Sequence, residues 1–307
     1  MTSVETPSKP ASLPRPDLAE MSFSTPLTSI VAITDEELFK QTGVRIAFTN
    51  RLAGFSPDPF GALNLSEDIG DVPAAVRSNR RVVFDSLQIF DDRANLVNPK
   101  QVHGDEILVV GEDIAATQQL AKEGADGIVC TQMDVPVMLC FADCVPVVCV
   151  APNGAFAVIH SGWRGSIAGI AGKGLKMLAE QAGCEVTDCN CYLGPHIGPC
   201  CYEVNDELIA RFVDAFGSEC DAGDNHLSLT YAVVASLVGA GADPKRVMNT
   251  GLCTYHNNKR FFSYRAQNGE CGRQAAIVVR HEPPDLELYD PEDDSIQDEV
   301  LSQDESE

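Results

Sequence analysis

Two apolar runs dominate the hydrophobic pattern of this chain. Residues 135–150 (VPVMLCFADCVPVVCV) are almost continuously apolar, and residues 155–159 run directly into His160 and the turn Ser161-Gly162-Trp163-Arg164-Gly165. Val-rich runs bounded by Pro and Gly predict buried strands. A His that ends such a strand, ahead of a Gly-rich turn and a helical pattern, stands where α/β folds collect their sites. Shorter β-like runs at 44–48, 107–110, 124–131 and 189–193 predict further strands, and residues 246–279 hold three more. Apolar spacing near 3.6 predicts helices at 73–87, 166–183, 205–216 and 229–239. Pro73 opens the first, and Asn205 and Gly217 bracket the third as N-cap and stop.

The ends of the chain lack this patterning. Residues 1–28 are rich in Pro, Ser and Thr and are expected to be a disordered leader. Residues 281–307 carry 12 acids and no Lys or Arg, and are expected to be a disordered acidic tail. They supply about half of the net charge of −23, so residues 29–280 form the expected globular unit. No basic patch appears, which argues against a nucleic-acid partner. With neither a transmembrane-length apolar run nor a secretory N-terminus, the expected location is the cytoplasm and no membrane partner is expected. The 12 cysteines contain no C-x-x-C pair, and without a secretory signal a disulfide framework is not expected. Most are read as small buried hydrophobes, and the close pairs Cys200-Cys201 and Cys189-x-Cys191 invite a redox reading that ranks below it.

Candidate chemistry lies on the two apolar runs and one upstream segment. His103, in Gln101-Val102-His103-Gly104, precedes a strand, and Gly104 leaves room beside it. His103, Cys144 and His160 are separated by 41 and 16 positions, too far for a local metal motif, yet two imidazoles and a thiolate suit Zn²⁺ with one position open. The same residues also make a Cys144 nucleophile with His160 as base, and the two assemblies stay equally open. Asp143 projects away from Cys144 in a regular strand and joins the site only if the strand kinks. Beyond the turn at 161–165, a helix start would offer N–H groups to an anion such as phosphate.

The motifs QVHG, ADC-x-P-V, H-S-G-W-R-G, LGP-x-IG-x-C-CYEV and FFSYR-x-x-x-x-x-CGR-x-A occur in this order between residues 45 and 279. Together they resemble the laccase-domain, or YfiH-like, family, first labelled multicopper polyphenol oxidases and later described as zinc purine nucleoside phosphorylases. The resemblance implies a single compact α/β (α+β) domain with a mixed β-sheet flanked by helices, similar to toxin deamidases. It implies a metal site at His103, Cys144 and His160, and phosphorolysis of adenosine, inosine and methylthioadenosine alongside adenosine deamination. Three departures are local: Asn50-Arg51-Leu52-Ala53-Gly54 stands where the family has T-R-x-G-G, Gly251 where it often has Asp before the late Cys-Thr pair, and Ser161 where it has Ala.

Such a reaction needs phosphate held near the anomeric carbon and stabilisation of the departing base. Arg51 and Arg164 are the expected phosphate cations, and Asn64 the expected donor to ribose or base. Phosphate is then a co-substrate and Zn²⁺ the expected cofactor, with Cu²⁺ as the alternative metal. Two other activities compete: a copper-dependent polyphenol oxidase, for which six histidines are few, and a Cys–His amidase acting on peptidoglycan.

Overall fold

The structure, a computed structural model, describes residues 12–26 and 28–285. It contains strands β1 (Ala19–Thr25), β2 (Thr28–Thr34) and β3 (Val44–Thr49), with helix α1 (Glu36–Thr42) between the last two. Then follow α2 (Pro73–Ser86), β4 (Ile107–Val109), α3 (Ile114–Glu123), β5 (Gly127–Cys130), β6 (Val137–Phe141), β7 (Val145–Val150) and β8 (Phe156–Ser161). After the turn come α4 (Trp163–Ile167), α5 (Ile170–Ala182), β9 (Asn190–Leu193), α6 (Asp206–Phe216), α7 (Leu229–Gly239), β10 (Val247–Asn249) and β11 (Gln274–Arg280).

The expected α/β arrangement of mixed β-sheet flanked by helices is present, with the strands divided between two sheets. One is antiparallel throughout, in the order β1-β2-β3-β11-β6; the other is mixed, in the order β10-β9-β7-β8-β5-β4. Period-two alternation decides which residues fill the space between them. Val44, Ile46 and Phe48 of β3 and Val137, Leu139 and Phe141 of β6 meet Phe156 and Val158 of β8 and Val148 and Val150 of β7 in one core. The outer face of the antiparallel sheet packs Ala47, Ile277 and Val279 on Val83, Phe84 and Leu87 of the α2 region. The outer face of the mixed sheet packs Val147, Ala157 and Ile159 on Ile170, Leu175, Phe212 and Leu237 from α5, α6 and α7. The layers therefore run helix, sheet, sheet, helices.

Three expectations are corrected. The leader expected to be disordered over residues 1–28 contains β1, which pairs with β2 from Ala19–Thr34 to Thr25–Thr28, and Leu13 is buried. Residues 1–11, and most of the acidic tail, lie outside the described residues. The run 135–150 is two strands, because Asp143 turns at φ 82° and the chain leaves one sheet for the other. The helix expected at 166–183 is broken at Gly169 (φ 74°), and α5 starts there. Caps follow chemistry elsewhere: Asn205 Oδ1 accepts from Leu208 N at 2.9 Å to start α6. Among the described residues, no helix is long and apolar enough to cross a membrane.

Candidate metal centre and substrate cavity

The crossing between the sheets builds the site. Cys144 sits where the chain passes from β6 to β7, and His160 is the penultimate residue of β8, on the inter-sheet side and opposite Pro146. His103 arrives from the loop before β4. The donor atoms of His103, Cys144 and His160 lie within 4.8 Å of one another. The two rings meet edge to face at 4.8 Å between centroids, and Phe141 packs on His160 from the core side at 5.4 Å.

Asp126, fully buried just before β5, fixes both histidines. Its carboxylate accepts His160 Nδ1 at 2.8 Å and the successive amides of Val102 (3.2 Å), His103 (3.0 Å) and Gly104 (2.7 Å). Three consecutive N–H groups on one carboxylate hold the loop in shape while His103 occupies the left-handed region at φ 59°. With Nδ1–H committed to Asp126, Nε2 of His160 is left as the ligating nitrogen. Burial raises the acid, but the hydrogen bond and charge of His160 and the amides outweigh it and keep Asp126 below its ordinary value. Asp126 was not singled out from the sequence. The available signal was an acid at the mouth of the short apolar run 124–131.

Burial likewise disfavours charge on Cys144, yet the positive charge of His160 and hydrogen bonds from both imidazoles bring its thiol down to about 6. His160 is raised in turn to about 9, since attraction to Cys144 and the bond to Asp126 outweigh its burial. The donor set fits a tetrahedral ion. Bonds of about 2.0–2.3 Å put neighbouring ligand atoms about 3.5 Å apart. Gly162 keeps that space clear: a Cβ there would lie 3.1 Å from Cys144 Sγ, 3.4 Å from His103 Cδ2 and 3.7 Å from His160 Cε1. Gly165 has a second steric task, because its Cβ would lie 2.9 Å from the carbonyl oxygen of Gly104.

The three residues open onto a cavity of about 1220 Å³, also lined by Arg80, Arg164, Tyr202, Tyr264, Arg265 and Arg273. Arg164 stacks on Trp163 at 4.3 Å, and among the described residues its guanidinium has no hydrogen-bond acceptor. By contrast, Arg80 bonds Leu65 O and Glu67, and Arg273 bonds Cys271 O and Gly272 O. The expected helical anion site after residue 165 is replaced by the five-residue α4. Asp143 does kink, and its carboxylate accepts Thr254 Oγ1 at 2.6 Å and Arg265 N at 2.7 Å.

Arg51 and Asn64 are not brought to this cavity. Arg51 donates to the carbonyls of Gly61 and Asn258 and to Gln267, and stacks on Phe262 at 4.5 Å. Asn64 is fully buried, donating to Ser66 O and Asp71 and accepting from the amides of Ser66 and Arg273. Both shape the loop that carries residues 66–69 to the cavity wall, their polar atoms spent inside the protein.

The fold and this cluster define an α/β protein with a His–Cys–His donor set that could hold one metal ion. The family model described as multi-copper polyphenol oxidoreductase laccase matches residues 45–281, and the chain belongs to that family. It is similar to "Purine nucleoside phosphorylase YlmD" of Geobacillus stearothermophilus, with 32% identity over 78% of this chain and 91% of the relative. It is also similar to "Adenosine deaminase RL5" from an unknown prokaryotic organism, with 30% identity over 78% of this chain and 94% of the relative. The crystal structure of YlmD from Geobacillus stearothermophilus superposes with a TM-score of 0.73 at 29% identity, covering 85% of this chain and 99% of that one. The plural copper of the family description finds no counterpart at this centre. Only His103 and His160 of the six histidines enter it, and His196 spends both ring nitrogens on Gly194 O and Thr230.

Proposed function

We propose that the chain is a zinc-dependent purine nucleoside phosphorylase acting on adenosine, inosine or methylthioadenosine, with adenosine deamination as a second activity of the same centre. The observation that carries this reading is one cavity holding both a thiolate–bis-imidazole donor set and an uncommitted guanidinium. The names of its relatives point the same way.

His103, Cys144 and His160 would hold the ion, which when bound supplies the Lewis acidity that activates water and polarises substrate oxygens. Arg164, oriented by Trp163, binds phosphate and presents one of its oxygens to the anomeric carbon. As that oxygen bonds to carbon, the bond to the purine nitrogen breaks and its electron pair leaves with the base, which takes up a proton. Tyr202 and Tyr264 line the cavity with aromatic surface suited to a purine ring. Asp126 holds the His160 tautomer throughout.

The test is base release from inosine and adenosine by zinc-loaded protein, with and without phosphate, beside a Cys144→Ala variant. Phosphate-dependent release lost in the variant supports the reading; absence of release under both conditions overturns it. A second reading has its own observation, the Cys144 thiol held down to about 6 beside His160, which is also the state of a cysteine nucleophile. Activity on an amide substrate that survives chelation but not Cys144→Ser would favour that reading.

A further inference from the structure

A second cluster of ligating side chains lies outside this centre. β9 and β10 are parallel neighbours, so the loops that follow them leave the same end of the mixed sheet. Those loops are stitched by His196 N to Leu252 O (3.2 Å) and Thr254 N to His196 O (3.0 Å). They bring Cys200, Cys201, Cys253 and His256 together, with one donor atom from each within 4.8 Å of the others. Cys200 Sγ and Cys201 Sγ are 3.7 Å apart, and the two sulfurs stand 3.6 Å and 3.3 Å from the ring nitrogens of His256. Four ligands around a zinc with bonds of about 2.3 Å to sulfur and 2.0 Å to nitrogen are spaced by about 3.5–3.8 Å.

We propose that Cys200, Cys201, Cys253 and His256 form a second, structural zinc site that clamps the loops after β9 and β10. Its closed Cys₃His set contrasts with the open three-ligand centre. Gly198 repeats the role of Gly162, since a Cβ there would lie 3.2 Å from Cys200 Sγ and 3.6 Å from Cys253 Sγ. Its amide also donates to Cys253 Sγ at 3.3 Å. Cys200 Sγ approaches one ring nitrogen of His256 and Cys201 Sγ the other, so closing the site around an ion commits His256 to one of the two.

The clamp reaches the substrate cavity through its neighbours. Thr254 donates to Asp143, next to Cys144, Ile197 N donates to Asp143 O, and Tyr202 lines the cavity. The inference does not rest on the proposed reaction.

Full-length protein purified under reducing conditions without chelator, analysed by inductively coupled plasma mass spectrometry, tests it. About two equivalents of zinc are expected in the wild type, and about one in Cys144→Ala and in Cys200→Ser/Cys201→Ser. Cobalt loading gives a readout independent of serine-variant folding: thiolate-to-cobalt charge-transfer absorption retained in Cys144→Ala, at about three-quarters of wild-type intensity from three of four thiolates. One equivalent in the wild type, lost in Cys144→Ala together with all charge-transfer absorption, overturns the site. So does a Cys200–Cys201 disulfide in the freshly purified, reduced protein.

Discussion

Asp126 shows how much of a site can rest on a residue that touches no substrate. Asp126→Asn keeps the size but loses the charge and one acceptor oxygen. Zinc affinity at the first centre is expected to fall about 10–100-fold, measured by chelator competition. Asp126→Ala strands three amides and should also destabilise the fold by about 3 kcal/mol or more in urea. The Cys144–His160 pair predicts a pH profile. The thiol, lowered to about 6, adds stability that is present above its unfolded value of 9.0 and fades as pH falls through about 6. The imidazole, raised to about 9, adds stability below its unfolded value of 6.5 and loses it as pH rises through about 9. Between those limits thiolate faces imidazolium, so alkylation of Cys144 in chelator-treated protein should show a midpoint near pH 6, moved upward by His160→Gln. Arg164→Ala should raise the half-saturating phosphate concentration at least about tenfold; an unchanged value rules out its phosphate role.

At the scale of elements, helix and strand periodicity was largely legible, and the failures have physical causes. β1 has the period-two alternation of a strand, with Ala19, Met21 and Phe23 against Glu20, Ser22 and Ser24, but it is short, partly exposed and set in Pro-, Ser- and Thr-rich surroundings; pairing with β2 fixes it. The run 135–150 was read as one strand because an Asp in the left-handed region carries no signal like Pro or Gly. That unseen turn is what delivers Cys144. The three proposed ligands were legible through motif resemblance, whereas Arg51 and Asn64 were misplaced because donors in a polar loop can turn inward as readily as outward. In the sequence the two glycines of the turn signal only a bend; their steric role follows from how Cys144 and Gly104 pack around them. Gly162→Ala, placing a methyl 3.1 Å from Cys144 Sγ, should weaken zinc binding more than tenfold while shifting the melting temperature little. Equal losses of both would mark the glycine as a folding residue instead.

Across the whole molecule, charge is unevenly placed. The chain carries −23, yet its substrate cavity is lined by Arg80, Arg93, Lys100, Lys122, Arg164, Arg265 and Arg273 against Glu67, Asp68 and Asp143. A cationic recess in an anionic body draws phosphate inward over a range set by the ionic atmosphere. The half-saturating phosphate concentration should therefore rise with added potassium chloride, more steeply than that for an uncharged nucleoside; equal slopes would argue against the recess as the anion's entrance.

The strand order of the antiparallel sheet has a consequence for synthesis. β11, the last strand among the described residues, lies between β3 and β6. While the ribosome is still translating, β3 and β6 have no partner on those edges, and the inter-sheet core cannot close until the segment ending at Arg280 emerges. A chain released before Gln274 leaves two open edges, a template for aggregation. Ribosome-stalled chains ending before and after β11 should therefore differ sharply in protease resistance, even though every ligand of the first centre lies more than one hundred residues upstream.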